Sequence, residues 1–285
     1  MIDDTLGGLL AAAAGRLDAA GIDSARLDAR LLASEVLGWD QARILSHPEQ
    51  SLSPEQHHAL DTLVTRREAR EPLAAITGRA EFWSLDFTIT KDVLVPRPDS
   101  ETLIEAVLAS VPDKGAGLEI ADFGTGSGCL ILSLLSELPK ARGLGIDVSS
   151  AALGVAKGNA ERLGLSGRAR FQLSNWDADV DGNFDLIVTN PPYIANADFL
   201  GLAPEVARFE PRLALSGGGG GLDCYQALAP GLRRVLKTGG RAYLEIGATQ
   251  ASSVGDILHG HGLQTLRVHK DLSGLDRVVE AVNKN

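Results

Sequence analysis

The chain has 285 residues, enough for two ordinary domains, and 44% of them are hydrophobic while 22% are charged. Its 27 Lys and Arg against 37 Asp and Glu give a net charge of −10, which disfavours binding of bare nucleic-acid phosphates through basic patches. No apolar stretch is as long as a membrane span, and the acidic start at Asp3 and Asp4 is unlike a signal peptide. We therefore expect a cytoplasmic protein that binds neither DNA nor a membrane.

The cysteines and histidines predict no metal site. Cys129 and Cys224 are far apart in the sequence and belong to no metal-type cluster, so a disulfide framework is not expected either. The histidine pairs within 57–58 and 259–261 lack the spacing of a helical zinc site.

Residues 1–75 have the apolar spacing of helices, as at Leu60, Leu63 and Val64, and Ser53 before Pro54 marks a helix start. They predict a small N-terminal helical domain. After Pro72 the composition changes. Aromatic and β-branched residues fill 82–90, and an apolar run at 93–95 leads into two prolines. We interpret residues 76–98 as a β-hairpin linker.

From residue 99 to residue 285, short apolar runs alternate with helical stretches. Strands are predicted at 118–123, 143–146, 184–188 and 241–246, helices at 127–138, 149–164, 222–236 and 250–260. This alternation predicts an α/β fold with a mainly parallel sheet, and the runs at 263–269 and 277–282 predict a closing antiparallel hairpin. Five consecutive glycines, 217–221, lack the Lys-Ser/Thr of a nucleoside-triphosphate loop and favour a mobile loop.

A strand followed by a glycine-rich turn predicts a cofactor site. The turn consists of Gly124, Thr125, Gly126, Ser127 and Gly128 and opens a helix, where backbone N–H groups are available to a ligand. The spacing is Gly-x-Gly-x-Gly, which differs from the Gly-x-Gly-x-x-Gly of dinucleotide folds. A nicotinamide or flavin cofactor is therefore disfavoured.

Two acids lie near this turn. Asp147 ends the next strand, where such folds accept hydrogen bonds from ribose hydroxyls, although capping of the following helix is an alternative role. Asp122 precedes the turn and could fix the loop or hold a ligand amine. Together these residues resemble the Rossmann-like, seven-strand methyltransferases that use S-adenosyl-L-methionine (SAM), in which the strand-two acid binds ribose.

A tetrapeptide directly after the strand at 184–188 carries the candidate chemistry: Asn190, Pro191, Pro192 and Tyr193. The prolines hold the backbone rigid, and a bound amide NH₂ could donate to the Asn190 side-chain oxygen and to the Pro191 carbonyl. Fixing both hydrogens suits methylation of a planar, weakly nucleophilic nitrogen, because orientation replaces basicity. Tyr193 could pack its ring on the flat target.

Asn-Pro-Pro-Tyr is shared by enzymes that methylate adenine in nucleic acid and by enzymes that methylate glutamine in protein. Six further segments resemble the HemK/PrmC family of peptide chain release factor glutamine methyltransferases: 71–78, 81–83, 96–101, 174–176, 208–211 and 271–277. Ser100 stands where Thr is usual, and Gly220 stands where an Asp is common, so the role of the glycine loop stays open.

The resemblance implies methyl transfer from SAM to the glutamine of the Gly-Gly-Gln loop in class 1 release factors, which forms N5-methylglutamine. It implies that Gly124 to Gly128 and Asp147 bind SAM, that Trp176 lies against the adenine, and that Asn190 contacts cofactor and substrate. The helical domain would help to recognise the protein substrate. Arg66, Arg67 and Arg70 form a basic cluster there, either a solvated face or a contact for an acidic release factor or ribosomal RNA.

Two other functions stay open at this stage. The first is an adenine-N6 nucleic-acid methyltransferase, which the charge of −10 and the lack of a basic target-recognition domain disfavour. The second is a SAM-binding protein without catalysis, which the intact Asn190–Tyr193 tetrapeptide disfavours.

Overall fold

The computed structural model describes residues 4–284, and the chain divides into two compact units. Residues 4–78 and Ala203–Phe209 form the first, called here the helical unit. Residues 79–202 and 210–284 form the second, called here the sheet unit.

The helices and strands follow in chain order. The helices are α1 (Leu6–Ala19), α2 (Ala25–Leu37), α3 (Gln41–Ser46), α4 (Pro54–Glu68), α5 (Leu73–Thr77), α6 (Glu101–Ser110), α7 (Cys129–Glu137), α8 (Ser150–Arg162), α9 (Pro204–Phe209), α10 (Asp223–Val235) and α11 (Ala251–Gly260). The strands are β1 (Arg79–Phe82), β2 (Leu85–Thr88), β3 (Glu119–Phe123), β4 (Arg142–Asp147), β5 (Ala169–Leu173), β6 (Phe184–Thr189), β7 (Leu236–Glu245), β8 (Leu263–Lys270) and β9 (Asp276–Asn283).

The helical unit has its own core, built from the apolar faces of α1, α2 and α4, with Leu6, Leu17 and Leu32 fully buried. Helix α4 begins where the sequence predicts, because Ser53 and Gln56 form a reciprocal capping box and Pro54 occupies the first turn. The helical character of this segment is thus confirmed.

The arginine cluster is ion-paired inside the helical unit, and Arg67 is buried and so does not belong to a solvated face. Arg67 is buried and contacts Asp28 at 2.7 Å and Glu205 of α9 at 3.2 Å. Arg70 also binds Glu205, at 2.6 Å, and Arg66 binds Glu71 at 2.6 Å. The guanidinium groups thus have acidic partners within the helical unit, which lower the local positive charge.

The predicted hairpin exists, but its strands differ from the expected ones. Strands β1 and β2 pair antiparallel around a two-residue turn at Trp83 and Ser84, which have φ of 53° and 57°. Two successive positive φ values match the twist of a hairpin, but Gly or Asn usually supplies them, so the sequence carries no signal here. The apolar run at 93–95 forms no strand.

The main sheet has seven strands in the order β5-β4-β3-β6-β7-β9-β8. Strands β3 to β7 are parallel, whereas β9 runs antiparallel to both β7 and β8, so the α/β fold and the closing hairpin are confirmed. The prediction missed edge strand β5, whose polar residues give little apolar pattern, and helix α6. It also began β7 five residues late, since β7 starts at Leu236.

The sheet unit buries an apolar layer on each face of its sheet. Because parallel strands end at the same edge, the loops after β3, β4 and β6 lie together there. Within residues 4–284, no helix is both long and apolar enough to cross a membrane.

Candidate functional site

A cavity of about 490 Å³ lies at the carboxyl ends of the parallel strands, a volume typical of small-molecule sites. Most predicted site residues line it: Gly124, Thr125, Gly126, Ser127, Asp147, Trp176, Asn190 and Pro192. Among the described residues, Gly128, Pro191 and Tyr193 are not part of this lining. The structure therefore brings the glycine turn, the strand-end acid and the start of the tetrapeptide to one cavity.

The glycine turn follows β3 and has a left-handed backbone at each of its three glycines. Their φ values are 74°, 55° and 82° for Gly124, Gly126 and Gly128, which L side chains rarely adopt. Gly128 forms the N-cap of α7, and a Cβ there would lie 3.3 Å from the Cβ of Ala156 on α8. Gly128 thus serves helix packing, while the other two face the cavity.

Asp147 shapes the turn as well as lining the cavity. Its Oδ2 accepts a hydrogen bond of 2.9 Å from the Gly126 N–H, and its Oδ1 accepts one of 2.9 Å from the Ser149 N–H. The capping role belongs to Ser149, whose hydroxyl accepts from the Ala152 N–H in α8. A carboxylate has about four acceptor positions, so Asp147 retains capacity for ribose hydroxyls.

Asp122 fixes the loop and does not line the cavity. It is fully buried, and its Oδ2 accepts a 2.6 Å hydrogen bond from the Thr125 hydroxyl, whereas Oδ1 has no partner. Burial raises the pKa of Asp122 to about 7, against the lowering effect of the Thr125 hydrogen bond. Of its two expected roles, the structure supports loop fixation.

We expect Asp122→Asn to gain stability relative to wild type as the pH rises from about 4 to about 7. The raised pKa means that folding takes up a proton between the unfolded value of 3.8 and about 7. The stability from Asp122 is thus fully present below pH 3.8, falls as the pH rises toward about 7, and changes no further above that pH. Relative to wild type, the variant should gain about 2 kcal/mol in the free energy of unfolding between about pH 5.5 and 8.5. Urea unfolding of both proteins at both pH values measures this gain. If the difference in free energy of unfolding between variant and wild type were the same at both pH values, the raised pKa of Asp122 would be contradicted.

Trp176 has a strained backbone in the cavity wall. Its φ is 52°, an uncommon value for a bulky residue and one that clusters at functional sites. A Cβ on Gly124 would lie 3.8 Å from Cζ3 of the Trp176 ring, so the ring lies beside the glycine turn. The strained residue thus places an aromatic ring in the cavity wall next to the turn.

The Asn190–Tyr193 tetrapeptide is held at both ends by residues outside it. At the start, Asn190 Nδ2 donates to Ser100 Oγ at 3.2 Å. At the end, the Tyr193 hydroxyl donates to Glu245 Oε1 at 3.4 Å, and Gln250 Nε2 donates to the Tyr193 carbonyl at 3.1 Å. The expected ring platform is not part of the cavity lining.

Sequence reasoning missed Glu245 and Gln250. Glu245 ends β7 and is 1% exposed, and burial raises its pKa to about 7, while the hydroxyls of Ser100 and Tyr193 lower it. The available signal was an acid at the end of an apolar strand, the same signal that marked Asp147. Its partner Tyr193 is 52 residues away in the sequence, so only the β6–β7 pairing reveals the contact.

A second missed acid holds a loop that borders the cavity. Glu210 has a 3% exposed side chain and accepts a 2.6 Å ion-paired hydrogen bond from Arg97, a cavity residue. Burial raises the pKa of Glu210, against the lowering effect of Arg97. The pair joins the segment after Pro96 to the segment at Pro211, and both segments line the cavity.

The glycine tract 217–221 is packed against the tetrapeptide at both of its ends. A Cβ on Gly217 would lie 2.8 Å from the Tyr193 Cα, and one on Gly221 would lie 2.4 Å from the Tyr193 carbonyl oxygen. The Gly217 N–H donates to the Ile194 carbonyl at 2.9 Å. Glycine is needed at these two ends because the backbones approach so closely, whereas Gly219 and Gly220 have open space.

We expect Gly217→Ala to destabilise the sheet unit by about 1–2 kcal/mol, because the new methyl group meets backbone atoms that cannot move independently. Gly219→Ala is the matched control, since its Cβ would meet nothing within 4 Å. Denaturant unfolding of both variants measures the difference, and equal stabilities would rule out tight packing of the tract.

The donor set of the cavity fits a nucleoside-type cofactor such as SAM. Asp147 offers a carboxylate to ribose hydroxyls, Trp176 offers an aromatic face, and the glycine turn allows a ligand to approach the backbone closely. The part of the chain that the structure describes contains no group of three or more His, Cys, Asp or Glu arranged to hold a metal ion. Cys129 and Cys224 are both free thiols.

Two family models match the chain. The PrmC N-terminal domain matches residues 8–78, and the methyltransferase small domain matches residues 99–207. A 16S ribosomal RNA methyltransferase of Thermus thermophilus, solved in complex with AdoMet and guanosine, has a similar fold with a TM-score of 0.51. It is 22% identical, and the match covers 72% of this chain and 49% of that one. This likeness concerns the fold alone.

Curated relatives agree over almost the whole chain. A release factor glutamine methyltransferase of Rhodospirillum rubrum is 47% identical over 276 residues, which cover 97% of this chain and 84% of that protein. One of Cereibacter sphaeroides is 45% identical over 272 residues, 95% of this chain and 96% of that protein. The adenine alternative is thereby disfavoured. The chain belongs to the family of release factor glutamine methyltransferases, which are SAM-dependent enzymes.

Proposed function

We propose that this protein transfers the methyl group of SAM to the side-chain amide nitrogen of the glutamine in the Gly-Gly-Gln loop of class 1 release factors. The observation that carries the proposal is the position of Asn190, which follows β6 and lines the same cavity as the glycine turn and Asp147. A methyl acceptor held by Asn190 is therefore beside the cofactor residues.

In this proposal the chain binds SAM through residues on three strand ends. Gly124, Thr125, Gly126 and Ser127 would contact the cofactor along the turn, Asp147 would accept from the ribose, and Trp176 would lie against the adenine. Gly128 would act through the position of α7. When bound, SAM supplies an electrophilic methyl group attached to a positively charged sulfur.

The tetrapeptide would orient the glutamine amide. Asn190 Oδ1 and the Pro191 carbonyl would each accept one hydrogen of the NH₂ group, and no hydrogen bond among residues 4–284 uses that carbonyl. Pro192 would keep the backbone rigid, and Tyr193 would hold the end of the motif. As the methyl–sulfur bond breaks, the nitrogen–methyl bond forms and the nitrogen releases one proton to water. The products are N5-methylglutamine, S-adenosylhomocysteine and a proton.

The two acceptors matter because an amide nitrogen is a weak nucleophile, its lone pair being delocalised into the carbonyl group. Acceptors on both N–H bonds favour pyramidalisation and direct the lone pair toward the methyl group. Such catalysis needs orientation and fixed dipoles, and it needs neither a strong base nor a metal.

The division of labour along the chain belongs to the same proposal. Residues 1–75 would help to recognise the folded release factor, and residues 99–285 would carry out the methyl transfer. Residues 76–98 would connect these two parts of the chain. Because the arginine cluster is paired internally, recognition by the helical unit would use other side chains. The protein would act in the cytoplasm, where release factors work, with no DNA as its substrate.

A methyl-transfer assay with labelled SAM tests the proposal. The arms are a purified class 1 release factor, its Gly-Gly-Gln variant with Gln→Ala, and duplex DNA. We expect label on the native release factor alone. Label on the Gln→Ala variant would refute the glutamine amide nitrogen as the methyl acceptor. Label on DNA alone would indicate an adenine methyltransferase and would leave the proposed cofactor site unchanged.

A further inference from the structure

A glutamine-orienting Asn190 must face the substrate with its oxygen, and this orientation needs a partner for its nitrogen. The side chain carries an acceptor on one side and a two-hydrogen donor on the other, and the two ends exchange when the amide rotates by half a turn. With the nitrogen toward the cavity, Asn190 would present a donor to a substrate NH₂ group, which also donates. One orientation thus supports methyl transfer and the other opposes it.

Ser100 supplies the partner for the nitrogen. Asn190 Nδ2 donates to Ser100 Oγ at 3.2 Å, and both residues line the cavity. Ser100 is 3% exposed, so its hydroxyl cannot exchange freely with bulk water. It also occupies the N-cap position of α6, yet its side chain makes no capping hydrogen bond. The hydroxyl thus does not cap α6, which is the usual role of a serine at an N-cap position.

The Ser100 hydroxyl has its own proton, which must not point at Asn190. A serine that donated to the amide would stabilise the wrong orientation, because it would bind the Asn190 oxygen. Glu245 lies beside Ser100, and its Oε2 is buried with no hydrogen-bond partner. The carboxyl group is therefore available to accept the Ser100 proton, which would leave the Ser100 oxygen for the amide nitrogen.

We propose that Ser100, supported by Glu245, is a positioning residue that holds the Asn190 amide with its oxygen toward the methyl acceptor. The proposal rests on the function proposed above, since it concerns the orientation of a substrate amide. Glu245 serves both ends of the tetrapeptide, because the Tyr193 hydroxyl also donates to it.

The test compares Ser100→Ala with Ser100→Thr, which keeps the hydroxyl. We expect Ser100→Ala to lower kcat for the release factor about tenfold, the rate equivalent of one net hydrogen bond, with SAM affinity changed less than about threefold. Ser100→Thr should recover most of that loss. Ser133→Ala is the matched control, since Ser133 is a fully buried serine of α7 outside the cavity and should keep the wild-type kcat.

Two further variants distinguish a role of Ser100 in positioning Asn190 from a general disturbance of the site. In an Asn190→Ala background, Ser100→Ala should change the residual rate less than about twofold, because the side chain it orients is absent. Glu245→Gln should lower kcat about as much as Ser100→Ala, since the new amide can donate to Ser100 Oγ and force the serine to donate to Asn190. Melting temperatures of all variants identify any that are unfolded.

The outcomes are distinct. A wild-type kcat in Ser100→Ala, or an equal loss with and without Asn190, overturns the role of Ser100. A wild-type kcat in Glu245→Gln overturns the support from Glu245. If the wild-type enzyme does not label the release factor, the proposed function itself is refuted, and the orientation proposal with it.

Discussion

Asn190→Ala should remove nearly all methyl transfer while leaving SAM binding almost intact. The variant loses the acceptor that orients the substrate amide, and removal of one such preorganised group costs on the order of 10³-fold in kcat, or ~4 kcal/mol. SAM affinity should stay within about tenfold, or ~1.4 kcal/mol, because the glycine turn and Asp147 are unchanged. Single-turnover labelling of a release factor measures the first quantity, and calorimetry with SAM measures the second.

The control for this experiment is Asn196→Ala. Asn196 lies six residues further along the same loop, is exposed, and accepts a hydrogen bond from the Ser216 hydroxyl. Its removal should leave turnover close to that of wild type. If Asn190→Ala kept its turnover, the orienting role of the tetrapeptide would be refuted. If it lost SAM binding instead, Asn190 would belong to the cofactor site alone.

The sequence was sufficient to predict that the site residues lie together, because their proximity follows from the direction of the strands. The glycine turn after β3, Asp147 at the end of β4 and Asn190 after β6 each follow a strand of one parallel sheet. Parallel strands end at one edge, so three sequence-distant loops must meet there. The alternation of apolar runs and helical stretches was sufficient for this conclusion.

The contacts that support the site residues could not be predicted, because they depend on strand pairing and on the shape of loops. Glu245 acquires its role only when β7 pairs with β6, and Gly217 only when its loop packs on Tyr193. Five glycines in a row show conformational freedom in the sequence, but they do not show what approaches them. The same holds for the turn at Trp83 and Ser84, whose left-handed backbone has no residue signal.

Net charge and a local cluster of charges gave different information. The net charge of −10 argued against a nucleic-acid substrate, and the family relationship agrees. The arginines at 66–70, however, looked available in the sequence, because Asp28 and Glu205 are 39 and 138 residues from Arg67. Ion pairs between distant segments neutralise such a cluster without any local trace.

Asp147→Ala should weaken SAM binding about 100-fold, or ~2.7 kcal/mol, because hydrogen bonds to a charged acceptor contribute roughly 1.5–3 kcal/mol each. The loss has two sources, since Asp147 also accepts from the Gly126 and Ser149 N–H groups and so holds the turn in its ligand-ready shape. Asp147→Asn keeps one acceptor oxygen, so its SAM affinity should lie between those of Asp147→Ala and wild type.

Asp256→Ala is the matched control for Asp147→Ala, because it removes the same charge from an exposed position on α11 outside the cavity. Calorimetry with SAM at one salt concentration compares the proteins, and the control should bind like wild type. Equal affinity for Asp147→Ala and wild type would remove Asp147 from the cofactor site. An equal loss in Asp256→Ala would show that net charge, and not a ribose contact, sets the affinity.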